Sequence, residues 1–455
     1  MKGVKINLLI TWLQSRLTPK QFIMISCVLV GLSAGLAALV LKIFAHEVFM
    51  IATLENNSVS KFTHIILPII GIVLTVFVVQ KLFKGKFDKG LSNIHDSIKK
   101  ESSSIPKEQM YKQVITSSLT VGLGGSAGLE APIVITGAAF GSNYAKTYNL
   151  DISERTLLLA CGVSAGIAAA FNAPIAGVLF ALEVLLVNAS ISIFTPIILA
   201  SASGALISKI ILQNEVLLSF ESQQPFDYYN IPFYVILGAF AGLLSVYHSR
   251  IFNKIQKAFS QSKKNAYLKA IAGGTILSLL VFIFPSLFGE GYKSVEVLSL
   301  NKPEELFESS PLSIFNKNEL LVLIFIGILI FLKAIATGLT IGSGGNGGNF
   351  APSLFVGAYL GFFFSRLINI LNISNLPESN FTLVGMAGIL SGIYHAPLTA
   401  IFLIAEITGG YKLMIPLMVV ASISFVISKQ LEPKSMDTMI LSPDSSDKRM
   451  EHSKT

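Results

Sequence analysis

Apolar residues dominate this chain in long runs that polar segments separate, and the segments near 214–230 and 289–317 are predicted to be polar loops. A helix needs about 20 consecutive apolar residues to cross a bilayer. The runs cover residues 21–45, 62–83, 111–147, 155–187, 192–213, 231–252, 267–288, 318–340, 351–372, 381–409 and 412–430. Because each run reaches about that length, the pattern predicts an all-α, polytopic membrane protein.

Several runs are too long for one crossing and are broken by glycine and proline, as at Pro132, Pro174, Pro352 and Pro397. Broken helices are tolerated inside a membrane only where their free backbone ends face protein or a water-filled cavity. We therefore expect pairs of short helices that meet at membrane depth.

The chain contains two diverged copies of one membrane unit. The segment GGSAGLEAPIVITGAAFG, from Gly124, recurs as GGNGGNFAPSLFVGAYLG from Gly344, at an offset of 220 residues. At an offset of 223, Gly162, Ala173, Pro174 and Glu183 match Gly385, Ala396, Pro397 and Glu406. Duplicated halves with broken helices at corresponding positions are typical of transporters, whose sites lie between the halves.

The repeat and the polar segments predict the domain organisation. The expected segments are a cytoplasmic or interfacial N-terminal helix (1–20), a first membrane repeat (21–213), a loop (214–230), a second repeat (231–430) and a short cytoplasmic tail (431–455). Basic residues collect near the N-terminus and in the loop around 83–110, which places both in the cytoplasm by the positive-inside rule. We expect a multi-pass protein of the plasma (cell inner) membrane with both termini in the cytoplasm.

Composition excludes several functions. Charged residues make up 13% of the chain, about half the share in soluble proteins, and the net charge of +8 is spread over loops. No basic patch with interleaved aromatic residues is present, so no nucleic-acid binding is expected. Cys27 and Cys161 both lie in apolar runs and are predicted to be buried hydrophobic side chains. No metal or cofactor is expected, and the chain is not predicted to be an enzyme.

Glu130 is the strongest candidate for a functional residue. A carboxylate near the bilayer midplane costs at least ~3 kcal/mol and is functional by default. Two helices that begin at membrane depth point unpaired amides and positive dipole ends at one place, which binds an anion without a cationic side chain. A carboxylate among those amides would mimic the anion and block the site, so Glu130 is predicted to be a gate. Its counterpart in the second copy is Phe350.

Other motifs leave alternatives open. Glu183 and Glu406 occupy equivalent places, which favours a scaffold role at helix ends over ion transport. Lys333 is predicted either to supply positive potential to the ion pathway or to pair with a carboxylate. Ser126 lies in a GxSxG pattern and His395 in a later apolar run, which makes an intramembrane serine protease a remote alternative.

These residues resemble the CLC family of chloride channels and proton-coupled chloride antiporters. GLEAP at 128–132 is similar to the family's G(K/R)EGP, and GNFAP at 348–352 to its GxFxP; the likeness extends over most of residues 20–440. FNAPIAGVLFALE at 171–183 and AEITGGY at 405–411 add to it. The resemblance implies two inverted repeats of short, tilted helices, a homodimer with one pore per subunit, and Glu130 as the external gate.

The resemblance also implies the anion-binding positions, namely Gly128, Leu129, Ala131, Gly348, Asn349, Phe350 and Ala351. Three positions depart from the family pattern. Lys89 stands where the central-site serine is expected, Met436 near the expected tyrosine, and Leu129 in place of the usual Lys or Arg. Selectivity among chloride, other halides and nitrate is therefore open, and a fluoride exporter of the same fold is the alternative.

Val184 follows Glu183, where many antiporters of the family carry a second, proton-accepting glutamate and channels commonly have valine. Channel and antiporter both stay open, so the expected partners are a small anion, with or without protons, and the lipid bilayer. Because the polar tail after 430 is short, we do not expect the nucleotide-binding regulatory pair that many longer relatives carry.

Overall fold

The structure is a computed structural model that describes residues 12, 14–53, 60–85, 90–186, 191–212, 224–307, 310–315, 318–409 and 411–439. Within these ranges the chain forms seventeen α-helices and no strand beyond one isolated backbone bridge. Eight of the helices are long and apolar enough to cross a membrane. The predicted all-α, multi-pass fold is confirmed.

The first half contains eight helices, several of them short. They are α1 (Pro19–Thr53), α2 (Ser60–Lys81), α3 (Ser92–Lys100), α4 (Gln109–Gly122), α5 (Glu130–Thr147), α6 (Ile152–Phe171), α7 (Pro174–Phe180) and α8 (Phe194–Leu212). A π-helical turn, Ala181–Leu185, continues α7. The long run at 111–147 is thus two helices, and the break between them lies just before Glu130.

The second half repeats this order and adds one short helix at its end. It comprises α9 (Ile231–Gln261), α10 (Ala266–Ile283), α11 (Tyr292–Ser299), α12 (Glu319–Gly342), α13 (Phe350–Ile370), α14 (Glu378–Tyr394), α15 (Pro397–Ile407), α16 (Met414–Leu431) and α17 (Met436–Met439). The segment 289–317, predicted as a polar loop, contains α11 and short 3-10 turns. The predicted domain boundaries stay predictions, and part of the loop 214–230 lies outside the described residues.

Glycines let the central helices of each half approach closely. A Cβ on Gly137 in α5 would lie 2.2 Å from the carbonyl oxygen of Gly162 in α6. A Cβ on Gly357 in α13 would lie 2.4 Å from the carbonyl oxygen of Gly385 in α14. Because only glycine fits at such distances, the same helix pair packs in the same way in both repeats.

Candidate functional site

Two equivalent loops, at 123–129 and 343–349, lead into α5 and α13. Each turns at a glycine with a left-handed backbone, Gly124 (φ +89°) and Gly344 (φ +127°). The loops are fixed by side chains from the opposite half. The Ser126 amide donates to Thr340 Oγ1 at 3.0 Å, and the Asn346 amide donates to Thr120 Oγ1 at 2.9 Å.

The ends of the two loops are joined directly to each other. The Gly128 amide donates to the Gly348 carbonyl at 2.8 Å, and the Gly348 amide donates to the Gly128 carbonyl at 2.7 Å. Gly128 and Gly348 thus form an isolated antiparallel β-bridge. The first turns of α5 and α13 therefore begin side by side, and their positive dipole ends share one location.

Glu130 is the first residue of α5 and is 3% exposed. Its Oε1 accepts a hydrogen bond from the Tyr292 hydroxyl at 2.5 Å. Its Oε2 lies so close to Gly128 that a Cβ built there would be 2.0 Å away. The carboxylate therefore occupies the space between the two helix starts, beside the bridge.

Phe350, the residue that replaces Glu130 in the second repeat, is the first residue of α13 and lies in an aromatic cluster. Its ring centroid is 5.6 Å from Phe171, 6.1 Å from Phe180 and 5.5 Å from Tyr394. The two helix starts thus differ sharply, with a carboxylate on one and an apolar ring on the other.

Asn349 connects the start of α13 to two buried side chains. Its amide Nδ2 lies 3.0 Å from the sulfur of Met436, and its Oδ1 lies 2.9 Å from His248 Nε2. Met436 is 2% exposed, and His248 is fully buried on α9. The family resemblance suggested that Met436 lies near the anion site. In the structure Met436 contacts Asn349. Lys89 lies outside the described residues.

Glu183 and Glu406 each reach into the opposite half. The two oxygens of Glu406 accept from the amides of Ile175 (3.0 Å) and Ala176 (2.8 Å), at the start of α7. The oxygens of Glu183 accept from Leu398 (3.0 Å) and Thr399 (2.7 Å), at the start of α15. These are the contacts of carboxylates that cap helix N-termini.

Comparison with known proteins identifies the family. Residues 70–429 match the sequence profile of the voltage gated chloride channel family. This chain belongs to that family, the CLC proteins. Its resemblance to the family, predicted from the motifs, is confirmed, and so is the prediction of anion transport across a membrane.

Several CLC proteins are similar to the chain over most of its length. Chloride channel protein CLC-e of Arabidopsis thaliana is 28% identical over 380 residues, which cover 78% of this chain and 50% of the plant protein. The voltage-gated ClC-type chloride channel ClcB of Escherichia coli is 29% identical over 328 residues, which cover 71% and 73%. The chain therefore spans half the length of the plant relative.

Solved CLC structures share the fold. A slow cyanobacterial chloride/proton antiporter superposes with a TM-score of 0.78 at 21% identity, over 93% of this chain and 98% of that one. A CLC-type fluoride/proton antiporter superposes with a TM-score of 0.73 at 22% identity, over 92% and 98%. The predicted inverted-repeat CLC architecture is confirmed.

The structure does not bring Ser126 and His395 together as a serine protease site would require. Ser126 Oγ accepts from Lys333 Nζ at 3.0 Å, and both side chains are fully buried. His395 ends α14 with a left-handed backbone (φ 56°), as Asn172 does at the end of α6, and its ring contacts Phe425. His395 is therefore a helix-end residue in the repeat and makes no contact with Ser126 in the described residues.

Three residues of the site were not predicted from the sequence. Tyr292 and Glu290 lie in the segment treated as a polar loop, and His248 lies within a long helix. None of the three lies in a block that matches in sequence between the two repeats. The GEGY sequence at 289–292, a carboxylate between two glycines directly after an apolar run, was the available signal.

Proposed function

We propose that this chain conducts chloride through a pore that Glu130 gates. The observation that carries the proposal is the position of the Glu130 carboxylate, beside the bridge that joins the starts of α5 and α13. Amides and dipole ends at that place attract a small anion. A carboxylate held there competes with the anion, so transport requires it to be protonated or displaced.

The amides that can hold the anion once the Glu130 carboxylate moves away are those just inside each helix. Gly128 and Gly348 donate their amides to each other, so we propose that they align the two helix starts and do not bind the anion directly. Ala131 would serve the outer position, and Asn349, Phe350 and Ala351 the central one. The Leu129 amide donates to another carboxylate, that of Glu290, at 3.2 Å.

Neither Phe350 nor Met436 brings a hydroxyl to the proposed central position. Met436 offers a thioether where the family pattern has a tyrosine. We propose that backbone amides supply most of the anion binding there. Hydroxyl contacts would then not discriminate among the halides. The fluoride/proton antiporter of the same fold makes fluoride the competing substrate to test.

The direct test is chloride efflux from liposomes that contain the purified protein. Wild type should release chloride, and Glu130→Gln and Glu130→Ala should change the rate and remove most of its pH dependence. Glu296→Gln, on the exposed face of α11, is the matched control and should behave as wild type. If Glu130→Ala and wild type have the same rate and pH profile, Glu130 is not the gate.

Two modes of transport are compatible with this site. Val184, 8% exposed in the π-helical turn, leaves the position after Glu183 without a carboxylate. The reversal potential under opposed chloride and pH gradients separates the modes. A value set by chloride alone indicates a channel, and a shift with pH indicates exchange; substituting fluoride for chloride in the same assay tests the fluoride alternative.

We further propose a homodimer in the plasma membrane with cytoplasmic termini. Apolar side chains are exposed on α7, α8, α15 and α16, the helices around the two capping glutamates, and include Ile175, Leu206, Leu398 and Met418. Family resemblance implies that such a face pairs with a second copy. Cross-linking in native membranes tests the dimer, and accessibility of a tag at each terminus tests the topology.

A further inference from the structure

A second carboxylate, Glu290, contacts the start of α5 through the backbone amide of Leu129. It lies between α10 and α11, flanked by two glycines with left-handed backbones, Gly289 (φ +62°) and Gly291 (φ +92°). The Gly289 amide donates to the Gly124 carbonyl at 3.2 Å, which ties this turn to the loop that precedes α5. The turn therefore presents Glu290 at a fixed place beside the gate.

The contact between Glu290 and α5 uses a helix-end amide. Glu290 Oε1 accepts from the backbone amide of Leu129 at 3.2 Å. Leu129 directly precedes Glu130 and caps α5. An amide at a helix N-terminus is a natural anion ligand, so the Glu290 carboxylate occupies a place that a transported anion could take.

Glu290 also lines a large cavity. The cavity has a volume of about 700 Å³, and its walls include Lys42, His46, Leu129, Ser286, Glu290 and Tyr292. We call it the vestibule. Tyr292 lines the vestibule and donates to Glu130, so Glu290 and Tyr292 stand together between the vestibule and the gate.

The charged groups around Glu290 come from three other helices. Lys42 on α1, Glu130 on α5 and Lys333 on α12 are near enough to act on its charge. Lys42 Nζ donates to the Ala170 carbonyl, and Lys333 Nζ donates to Ser126 Oγ and to the Gly289 carbonyl at 3.1 Å. Among the described residues, neither lysine forms a direct ion pair with Glu290, so no ion pair has to break when its carboxylate leaves the Leu129 amide.

We propose that Glu290 is a second gating carboxylate, in series with Glu130, that holds the Leu129 amide against anions entering from the vestibule. This inference rests on the proposed function of Glu130 as the gate. An anion reaches the Leu129 amide when Glu290 releases it, either because the anion displaces the carboxylate or because a proton from the vestibule neutralises it. Lys42 and Lys333 then face the arriving anion.

A purely structural cap makes a different prediction from a competing carboxylate. Glutamine keeps the oxygen that accepts from Leu129 and loses the charge. If Glu290 were only a cap, Glu290→Gln would transport as wild type does. A competing carboxylate requires its charge, so Glu290→Gln should bind chloride about tenfold more tightly and transport it faster at neutral pH.

The experiment combines chloride titration calorimetry in detergent with transport in planar bilayers under one-sided pH changes. Glu290→Gln, Glu290→Ala and the control Glu296→Gln are compared with wild type. In the Glu130→Gln background, a residual response to vestibule pH should persist, and Glu290→Gln should remove it. Circular dichroism and gel filtration verify that each variant is folded; Glu290→Gln stands in if the alanine variant fails.

The outcomes separate this inference from the proposed function. Tighter chloride binding and loss of the residual pH response support Glu290 as a second gate. If both Glu290 variants match wild type while the Glu130 variants change transport, the inference is wrong and the Glu130 proposal stands. If no Glu130 variant changes transport, the proposed function itself is wrong.

Discussion

The amide of Gly128 donates to the carbonyl of Gly348 at 2.8 Å, and the amide of Gly348 donates back to Gly128 at 2.7 Å. This reciprocal pair joins the two inverted repeats at the point where both broken helices begin. It uses one amide from each loop, so those two groups are satisfied inside the membrane without water. The amides that follow are left to face an anion or the Glu130 carboxylate.

Substitution at the two bridge glycines should separate gating from scaffolding. A Cβ on Gly128 would lie 2.0 Å from Glu130 Oε2, whereas a Cβ on Gly348 would lie 2.7 Å from the Ala131 side chain. Overpacking of this kind costs about 1–3 kcal/mol. In Gly128→Ala that strain falls on the held carboxylate, so its displacement should be favoured about tenfold and chloride efflux should rise.

Gly348→Ala is the matched control for this prediction. It should lower the unfolding temperature by a similar amount and leave the pH dependence of efflux as in wild type. Liposome efflux and thermal unfolding in detergent measure both effects. Equal changes in gating for the two variants would show that the bridge, and not the contact with Glu130, determines the response.

Removal of the Tyr292 hydroxyl should weaken the hold on the gate. The hydroxyl donates to Glu130 Oε1 in a buried setting, and a hydrogen bond to a charged group contributes about 1.5–3 kcal/mol. Tyr292→Phe should therefore shift the gate towards the released position by about tenfold or more and raise efflux at neutral pH. Tyr234→Phe, a buried tyrosine stacked on Phe381, serves as control and should leave efflux unchanged. An unaltered rate in Tyr292→Phe would mean that this hydrogen bond does not hold the gate.

The sequence predicts the repeat, the helix breaks and the position of Glu130 because each rests on local chemistry. Glycine and proline interrupt apolar runs at 123–132 and 343–352, and those interruptions are the loops and first turns seen in the structure. The carboxylate was visible because charge is rare in such runs.

The partners of Glu130 could not be predicted in the same way. Tyr292 is 162 positions from Glu130 along the chain, and the pair forms only through tertiary packing. The segment that carries Tyr292 is polar, and its composition therefore predicted a loop. In the structure Tyr292–Ser299 is a helix that buries Val295 and Leu298. The sequence blocks that match between the repeats, 124–141 with 344–361 and 162–183 with 385–406, do not include this segment, so self-comparison does not find it.

Removal of either capping glutamate should destabilise the fold. Glu406 accepts from two backbone amides, while Glu183 accepts from two amides and, at 2.7 Å, from the Thr399 hydroxyl. Helix-end donors that lose their partner away from water cost about 1–3 kcal/mol. We expect Glu406→Ala to lower the free energy of unfolding by that order, and Glu183→Ala to lower it further.

Thr399→Val isolates the additional bond of Glu183. This substitution should account for most of the difference between the two glutamate variants, as a double-mutant cycle with Glu183→Ala would reveal. Thermal unfolding in detergent provides the measurement. Wild-type stability in both glutamate variants, together with altered ion coupling, would instead indicate a transport role for these carboxylates.

Replacement of Met436 by tyrosine should add a hydroxyl at the start of α13. Met436 lies 3.0 Å from Asn349 Nδ2, next to the amides proposed to hold the central anion. A hydroxyl there can donate a hydrogen bond to the anion, and a bond to a charged partner contributes about 1.5–3 kcal/mol. Met436→Tyr should therefore tighten chloride binding about tenfold in titration calorimetry. Met436→Leu, which keeps an apolar side chain of similar size, should bind chloride as wild type does. If the tyrosine and leucine variants bind equally, the side chain at this position does not reach the anion, and backbone amides alone set the affinity of the central site.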